Sequence, residues 1–564
     1  MQANKGFFVQ FFKLAGPFWN SENKFQIRMD TVYLVLLTVM QIVMAVVVTE
    51  WNADLFDAIE QHSMSGIVNQ FGVLILIFVG SITITTMHLI VKRRLLIGWR
   101  LWLTEKVVSK WMYKGRHYQI TFMGKNNHDN PDGRIAEDIR IATEEAIAMG
   151  HSLFYSLLLL GSFAEILWTL SGTIELNLGL FTVSITGYLV WIAVFYSIAA
   201  SILGWIMGKS LTEATDDRQT EEANYRYCLI KAQEHSQAIA LIHGESYEQN
   251  RFLQSFQAII DTYAEQTAAW KQIQIFSSGY SVVSMALPIL VAAPRYIVGA
   301  LSLGNLMQSV QAFQHMVNAL SWPANNMAQI ANWRTSVERV LGLVKALDEL
   351  EHDISCLNSH QICVGKGAKS VLKFNNVSIA SIEGETLSLT INTEINAGEH
   401  VLISGKFSTG AKLFQAIRGL WPWGNGHIDI PEGERLFFMS PRPYLPTGSL
   451  ISAICYPKAT SSFKRSDIEK LLKRVDLKEL IQHLDKEDSW EKLLSREQQQ
   501  RLGIVRVLLY KPKWIFSQEA LDSLSPEGEA DMLELLVKEF PDVAILSMTT
   551  QPMSGAFYQR TLKI

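Results

Sequence analysis

The sequence predicts a multi-domain protein in which an α-helical transmembrane domain of about six spans precedes an α/β domain of the P-loop type. Long apolar segments occupy the first two-thirds of the chain, and short strands alternate with turns and helices after about Lys345. The composition agrees, because 48% of the 564 residues are hydrophobic, which is too apolar for an ordinary soluble enzyme of this size. The net charge of -4 is close to balance, so it points to no charged partner, and no nucleic acid is expected.

The apolar segments have lengths close to the roughly 20 residues that a helix needs to cross a bilayer. They lie at about 31–50, 68–91, 151–172, 178–207, 274–298 and 301–321. Lys and Arg concentrate on the cytoplasmic side of membrane proteins. They are frequent in 92–150 and 208–273 and absent from 51–69. The sequence therefore predicts a multi-pass protein with both termini in the cytoplasm.

The two basic connections are too long to be simple turns. Apolar residues recur in their flanks at helical spacing, so we expect the membrane helices to continue into the cytoplasm. The predicted organisation is a transmembrane domain with long cytoplasmic helix extensions at 1–345, a linker at 346–367 and an α/β domain at 368–564.

The first motif of the α/β domain has the shape of a phosphate-binding loop, which normally reads GxxxxGK[ST]. Gly405 and Gly410 keep the spacing of the two glycines after an apolar strand. Ala411 stands where the phosphate-binding Lys is expected, and Lys412 stands where Ser or Thr would bind Mg²⁺. One residue along a helix turns a side chain by about 100°, so Lys412 is not expected to replace the missing Lys.

Later motifs follow in the order of an ATP-binding cassette, and several of them are altered. The run Leu494–Arg501 resembles the signature LSxGEQQR and keeps Ser495, but it has Glu497 at the glycine position. The apolar strand that begins at Trp514 ends in Gln518 where the Mg²⁺-associated Asp is expected, although Glu519 keeps the position of the catalytic base.

Two further positions depart from the cassette pattern. Pro441 takes the place of the glutamine that senses Mg²⁺, and Thr550 takes the place of the switch histidine. Phosphoryl transfer depends on positioning and on charge neutralisation, so these losses act together. We therefore expect no confident catalytic residue, with Gln518, Glu519 and Thr550 as vestiges.

The whole chain resembles the SbmA/BacA-like branch of ABC half-transporters, which is related to the peroxisomal fatty-acyl transporters. The runs NPDGRIAEDIR (130–140) and RGLWPWG (418–424) carry this resemblance more specifically than any one cassette motif. It implies an exporter-type ABC membrane fold, a homodimer in the bacterial inner membrane and a transported solute such as a peptide or a cobalamin-like compound. The altered motifs favour a domain without ATPase activity, with no metal site and neither ATP nor Mg²⁺ as a cofactor.

Ionisable residues within spans are costly and mark candidate functional sites. Glu165 has apolar neighbours within the third predicted span, and His88 lies late in the second. Family members without a nucleotide domain are thought to use the proton gradient, so Glu165 is the first candidate proton carrier. The alternatives are a Glu165 that pairs with a polar neighbour in a cavity wall and a His88 at the membrane interface.

Two other functions remain open at this point. One is an ATP-driven transporter with unusual motifs, and the other is a membrane scaffold or regulator that transports nothing. An ionisable residue within a span favours transport over the scaffold.

Overall fold

The computed structural model describes residues 6–122, 130–177, 182–356, 361–368, 370–549 and 557–564. The chain forms two compact units. The first comprises Met1–Val107 and Asn130–Leu343, and the second comprises Val108–Asp129 and Val344–Ile564. The second unit therefore contains part of the connection between α3 and α6 as well as the α/β domain. The boundaries predicted at 345 and 367 stay predictions.

The first part of the chain is almost entirely helical, with one short hairpin. Its helices are α1 (Phe7–Ala15), α2 (Lys24–Glu60), α3 (Met64–Met112), α4 (Arg116–Gln119), α5 (Pro131–Gly133), α6 (Ile139–Ser171), α7 (Tyr188–Glu234), α8 (Ser236–Leu241), α9 (Glu245–Ile297), α10 (Leu303–Leu320), α11 (Trp322–Asn325) and α12 (Met327–Cys356). The hairpin strands β1 (Thr173–Asn177) and β2 (Thr182–Thr186) pair antiparallel between α6 and α7.

Within the described residues, five helices are long and apolar enough to cross a membrane, namely α2, α3, α6, α7 and α9. The sixth predicted segment forms α10, which has 18 residues and packs against α2, α6, α7 and α9. Its inward face is fully buried, with Phe313 and Val317 beside Phe163 and Leu167 of α6. The predicted fold class, a helical membrane region followed by an α/β domain, is confirmed.

Two carboxylates at the end of α2 fix the start of α10. The Gly304 N–H donates to Asp57 Oδ1 at 2.7 Å, and the Leu303 N–H donates to Glu60 Oε2 at 2.9 Å. The first N–H groups of a helix have no partner within it and carry partial positive charge, so acidic side chains stabilise this end. The acidic residues of segment 51–69 thus cap a neighbouring helix.

The α/β domain contains two larger sheets. Its strands are β3 (Cys363–Gly367), β4 (Val371–Ile379), β5 (Ile391–Asn396), β6 (His400–Ser404), β7 (Gly424–Pro431), β8 (Leu436–Met439), β9 (Gly448–Ser449), β10 (Glu487–Asp488), β11 (Trp514–Gln518), β12 (Ala544–Met548) and β13 (Arg560–Lys563). One sheet has the order β13-β6-β12-β11-β8 and is parallel throughout, and the other has the order β3-β7-β4-β5. The helices are α13 (Phe407–Ile417), α14 (Leu450–Cys455), α15 (Arg465–Arg474), α16 (Trp490–Leu493), α17 (Arg496–Tyr510) and α18 (Pro526–Glu539).

The connection between α3 and α6 packs directly on the rest of the second unit. The Gln119 side chain donates to the Leu420 carbonyl at 3.1 Å, and Arg116 pairs with Glu351 at 2.8 Å. A Cβ on Gly115, where φ is +80°, would lie 2.3 Å from a methyl carbon of Leu420, so only glycine permits this approach. Leu420 follows α13, so the connection contacts the loop at the end of the P-loop helix.

Candidate functional site

The predicted cassette motifs meet at one edge of the five-stranded sheet. Because β6, β8, β11 and β12 are parallel, their carboxyl ends lie along the same edge, where α/β proteins bind ligands. Gly405 follows β6, Ser440 follows β8, Glu519 follows β11 and Thr549 follows β12. Thr550, predicted at the switch position, lies outside the described residues.

The two P-loop glycines are required by close packing around the start of α13. A Cβ on Gly405 would lie 2.6 Å from Cγ1 of Ile564, and one on Gly410 would lie 2.2 Å from the Met548 sulfur. Helix α13 begins at Phe407, so its first turn presents N–H groups toward this edge of the sheet. Only Gly405 and Lys406 lie between β6 and α13, because the residues from Phe407 to Gly410 already belong to the helix.

The single charged side chain among the four predicted P-loop residues is directed elsewhere. Lys412 Nζ lies 4.8 Å from the centre of the Trp421 ring, a cation–π contact. The Trp421 indole N–H donates to the Ala380 carbonyl at 3.0 Å, which fixes the ring. Ala411 supplies no charge at the position before Lys412. The contact agrees with the expectation that Lys412 does not replace the P-loop lysine.

Gln500 joins three of the motifs and was missed by sequence reasoning. It is 3% exposed, and its side-chain N–H groups donate to the carbonyls of Pro441 (3.3 Å) and Glu519 (3.2 Å). Its Oε1 accepts the Ser523 N–H at 2.9 Å. Glu519 itself has a φ of +47° and donates its N–H to the Met548 carbonyl at 2.7 Å. The run of three glutamines at 498–500 is the sequence feature that could have indicated Gln500.

The signature run begins α17, and its polar and charged side chains pair with one another. The Ser495 hydroxyl accepts the Gln498 N–H, while the Gln498 side chain accepts the Ser495 N–H, which forms a capping box. Glu497 Oε1 accepts from Arg501 at 2.9 and 3.0 Å. The carboxylate that replaces the signature glycine is therefore paired within its own helix.

A buried carboxyl lies behind the end of β12. Glu529 of α18 is 2% exposed, and burial, with the nearby charge of Asp522, raises its pKa to about 7. Asp522 accepts the Thr549 hydroxyl at 2.8 Å. The Asp522 carboxylate thus connects the loop after β11 with the end of β12.

In the membrane unit, Glu165 lies on the exposed side of α6. Leu157, Gly161 and Trp168 share this side at helical spacing, and all three are exposed as well. Phe163 and Leu167, on the other side of the helix, are fully buried. The structure thus places the Glu165 carboxyl on an uncovered apolar face of the protomer.

His88 is not at a surface but packs against a second histidine. Its ring centre lies 4.3 Å from that of His151 on α6, and it is 6% exposed. Among the described residues, neither Nε2 atom has a hydrogen-bond partner. The two predicted transport candidates, His88 and Glu165, lie on α3 and α6 respectively. Sequence reasoning missed His151, because its partner His88 is distant in the chain.

Comparisons with known proteins place the membrane region in a family. Residues 15–297 match the model described as ABC transporter transmembrane region 2. The chain is 28% identical over 554 residues to an uncharacterized ABC transporter ATP-binding protein of Haemophilus influenzae, covering 98% of this chain and 91% of that protein. It is 26% identical to the inner membrane ABC transporter ATP-binding protein YddA of Escherichia coli, covering 96% and 94%. It is 24% identical to the chloroplastic ABC transporter D family member 2 of Arabidopsis thaliana, covering 99% and 86%.

These comparisons correct one prediction. The expectation that neither ATP nor Mg²⁺ is a cofactor is wrong, because relatives that align with nearly the whole chain are named for ATP binding. The physical reason for the error is that a phosphate loop binds largely through backbone N–H groups and a helix N-terminus. Substitutions of side chains such as Ala411 leave those groups in place.

Proposed function

Because the chain belongs to the ABC transporter transmembrane region 2 family, we propose that two copies form a transporter in the bacterial inner membrane. Both termini lie in the cytoplasm, and the solute is a peptide or another bulky polar molecule, such as a cobalamin-like compound. The observation that carries the proposal is the family match of the membrane region, followed by an α/β domain with a parallel five-stranded sheet. A half-transporter does not enclose a pathway alone, so a two-fold symmetric second copy completes it.

We further propose that ATP and Mg²⁺ bind at the edge of the five-stranded sheet. The Phe407 and Ser408 N–H groups precede the first hydrogen bonds of α13, and they would hold the phosphate oxygens. Gln518 and Glu519 supply the oxygen atoms available for the metal at the end of β11. When bound, Mg²⁺ neutralises phosphate charge. Hydrolysis is slow in this proposal, because Ala411 and Gln518 remove two charges that phosphoryl transfer uses.

Nucleotide binding is tested with a fluorescent ATP analogue and the purified full-length protein. Ser408 is exposed in the first turn of α13, so Ser408→Glu places a negative charge beside the phosphates and should weaken binding about tenfold. The matched control is Ser462→Glu, an exposed serine elsewhere in the same domain, which should leave binding unchanged. Binding that ignores Ser408→Glu, or no saturable binding by the wild type, would contradict this part of the proposal.

The proton gradient contributes through Glu165 in our proposal. A carboxyl on an uncovered face within a span is costly against lipid, so it belongs in an aqueous path or against a second copy. A site with weakened hydrolysis leaves room for a second energy source, and a carboxyl can carry a proton between two open states.

Proton coupling is tested in proteoliposomes with a fluorescently labelled oligopeptide and an imposed pH gradient. Glu165→Gln should abolish the transport that depends on the gradient while leaving insertion and dimer formation intact. Glu213→Gln, an exposed carboxyl on the extension of α7, serves as the control and should transport normally. Gradient-driven transport that persists in Glu165→Gln would show that this residue is not the proton carrier. The proposal that ATP binds at the sheet edge does not depend on this result.

A further inference from the structure

Helix α10 has one apolar side and one side lined with amides, and it packs against four of the five candidate spans. Its 18 residues span about 27 Å, close to the thickness of the hydrocarbon core. The ring of His315 stacks on Phe163 of α6 at 4.3 Å, and the Trp322 indole donates to Ser152 at the start of the same apolar segment. Helix α10 therefore runs beside the apolar part of α6 along its length.

Four amide side chains follow one another on the less buried side of this helix. They are Gln308, Gln311, Gln314 and Asn318, and at 100° per residue they fall within a sector of about 120°. The three glutamines are partly exposed and Asn318 is exposed, whereas the opposite side is buried against the neighbouring helices. In the described part of the chain, none of the four side chains has a hydrogen-bond partner.

Contact with lipid is a poor fit for this surface, which we call the amide stripe. An amide without a hydrogen bond in an apolar medium costs roughly 2–7 kcal/mol, and the stripe contains four of them. A seal against a second copy is the alternative, because glutamine and asparagine side chains also hydrogen-bond across helices in membranes. The accessibility test below separates the two.

We propose that the amide stripe forms one wall of the solute pathway and recognises the solute by hydrogen bonds. Each amide can both donate and accept, and the one ionisable side chain of α10, His315, is stacked on Phe163. The chemical class that fits is an uncharged stretch of a molecule rich in amide or hydroxyl groups. This assignment rests on the proposed transport function and names the residues that select the solute.

The first test measures the accessibility of the stripe to water and is independent of transport. Gln311→Cys and Gln314→Cys are placed in the full-length protein in lipid nanodiscs and treated with a charged, water-soluble thiol reagent, with wild-type labelling subtracted. Phe78→Cys, on an exposed apolar face of α3, is the matched control. Because thiol reactions need the solvated thiolate, the stripe cysteines should react about tenfold faster or more. Reaction no faster than that of Phe78→Cys overturns the pathway assignment in favour of lipid or a sealed dimer contact.

The second test measures selection with a labelled neutral tetraglycine amide and a labelled tetra-aspartate. Loss of one hydrogen bond through Gln311→Leu should weaken binding of the neutral probe by about two- to twelvefold. Gln272→Leu, an exposed glutamine of α9 outside the stripe, should not change it. Equal effects of the two variants, or a wild type that prefers the anionic probe, overturn the recognition role. The stripe cysteines could react while the labelled oligopeptide of the proteoliposome assay does not cross the membrane. That result would contradict the transport function but not the contact of the amide stripe with water.

Discussion

Replacing Glu529 by glutamine should make the α/β domain more stable at alkaline pH and change its pH dependence. The side chain is 2% exposed, and burial beside Asp522 raises its pKa from 4.5 to about 7. Each pKa unit corresponds to 1.36 kcal/mol, so ionising this carboxyl in the folded domain costs about 3 kcal/mol. Glutamine has nearly the same size and cannot ionise, so it removes that cost.

The sign follows from the direction of the pKa change. The folded state holds the Glu529 proton more tightly than the unfolded state, so this group contributes most to stability below pH 4.5. The contribution falls as the pH rises to about 7 and is constant above it. The advantage of Glu529→Gln over wild type should therefore grow by about 2 kcal/mol between pH 5.5 and pH 8.5.

The assay is urea unfolding of the full-length protein in detergent, followed by brief proteolysis that reports the folded fraction of the α/β domain. Wild type and variant are compared at pH 5.5 and pH 8.5, so that titration of all other groups cancels. Glu527→Gln, an exposed carboxyl on the same helix, is the control and should give the same difference at both pH values. A difference for Glu529→Gln that does not change with pH would refute the reasoning.

Three further substitutions test other packing contacts. Gly410→Ala puts a Cβ 2.2 Å from the Met548 sulfur and should lower the free energy of unfolding by about 1–3 kcal/mol, measured by the same urea assay. Asp57→Ala leaves the Gly304 N–H without its carboxylate and should destabilise the membrane unit by about 0.5–2 kcal/mol, seen as a lower temperature of detergent-phase unfolding. Gln119→Leu removes a bond of about 1 kcal/mol to the loop after α13 and should speed hydrogen exchange in that loop without changing the membrane helices. Unchanged values in any of the three would show that the corresponding contact contributes nothing.

The candidate nucleotide site could be placed from the sequence because its residues follow strands. An apolar run before Gly405 and another before Gln518 predict two buried strands, and parallel strands bring their ends together. The bond network of Gln500 could not be predicted, since it joins residues 59 and 19 positions away in the chain. The cofactor prediction failed for a related reason, because backbone N–H groups leave no mark on the side chains.

The sequence by itself determined which segments are apolar enough for the membrane and that an α/β domain follows them. These features depend on local composition and spacing, which the chain carries without its fold. Only the tertiary structure decided which side of a helix is covered, and that gave Glu165 and the amide stripe of α10 their exposure. It also decided which partners meet, as with His88 and His151, because packing pairs residues from helices far apart in the chain.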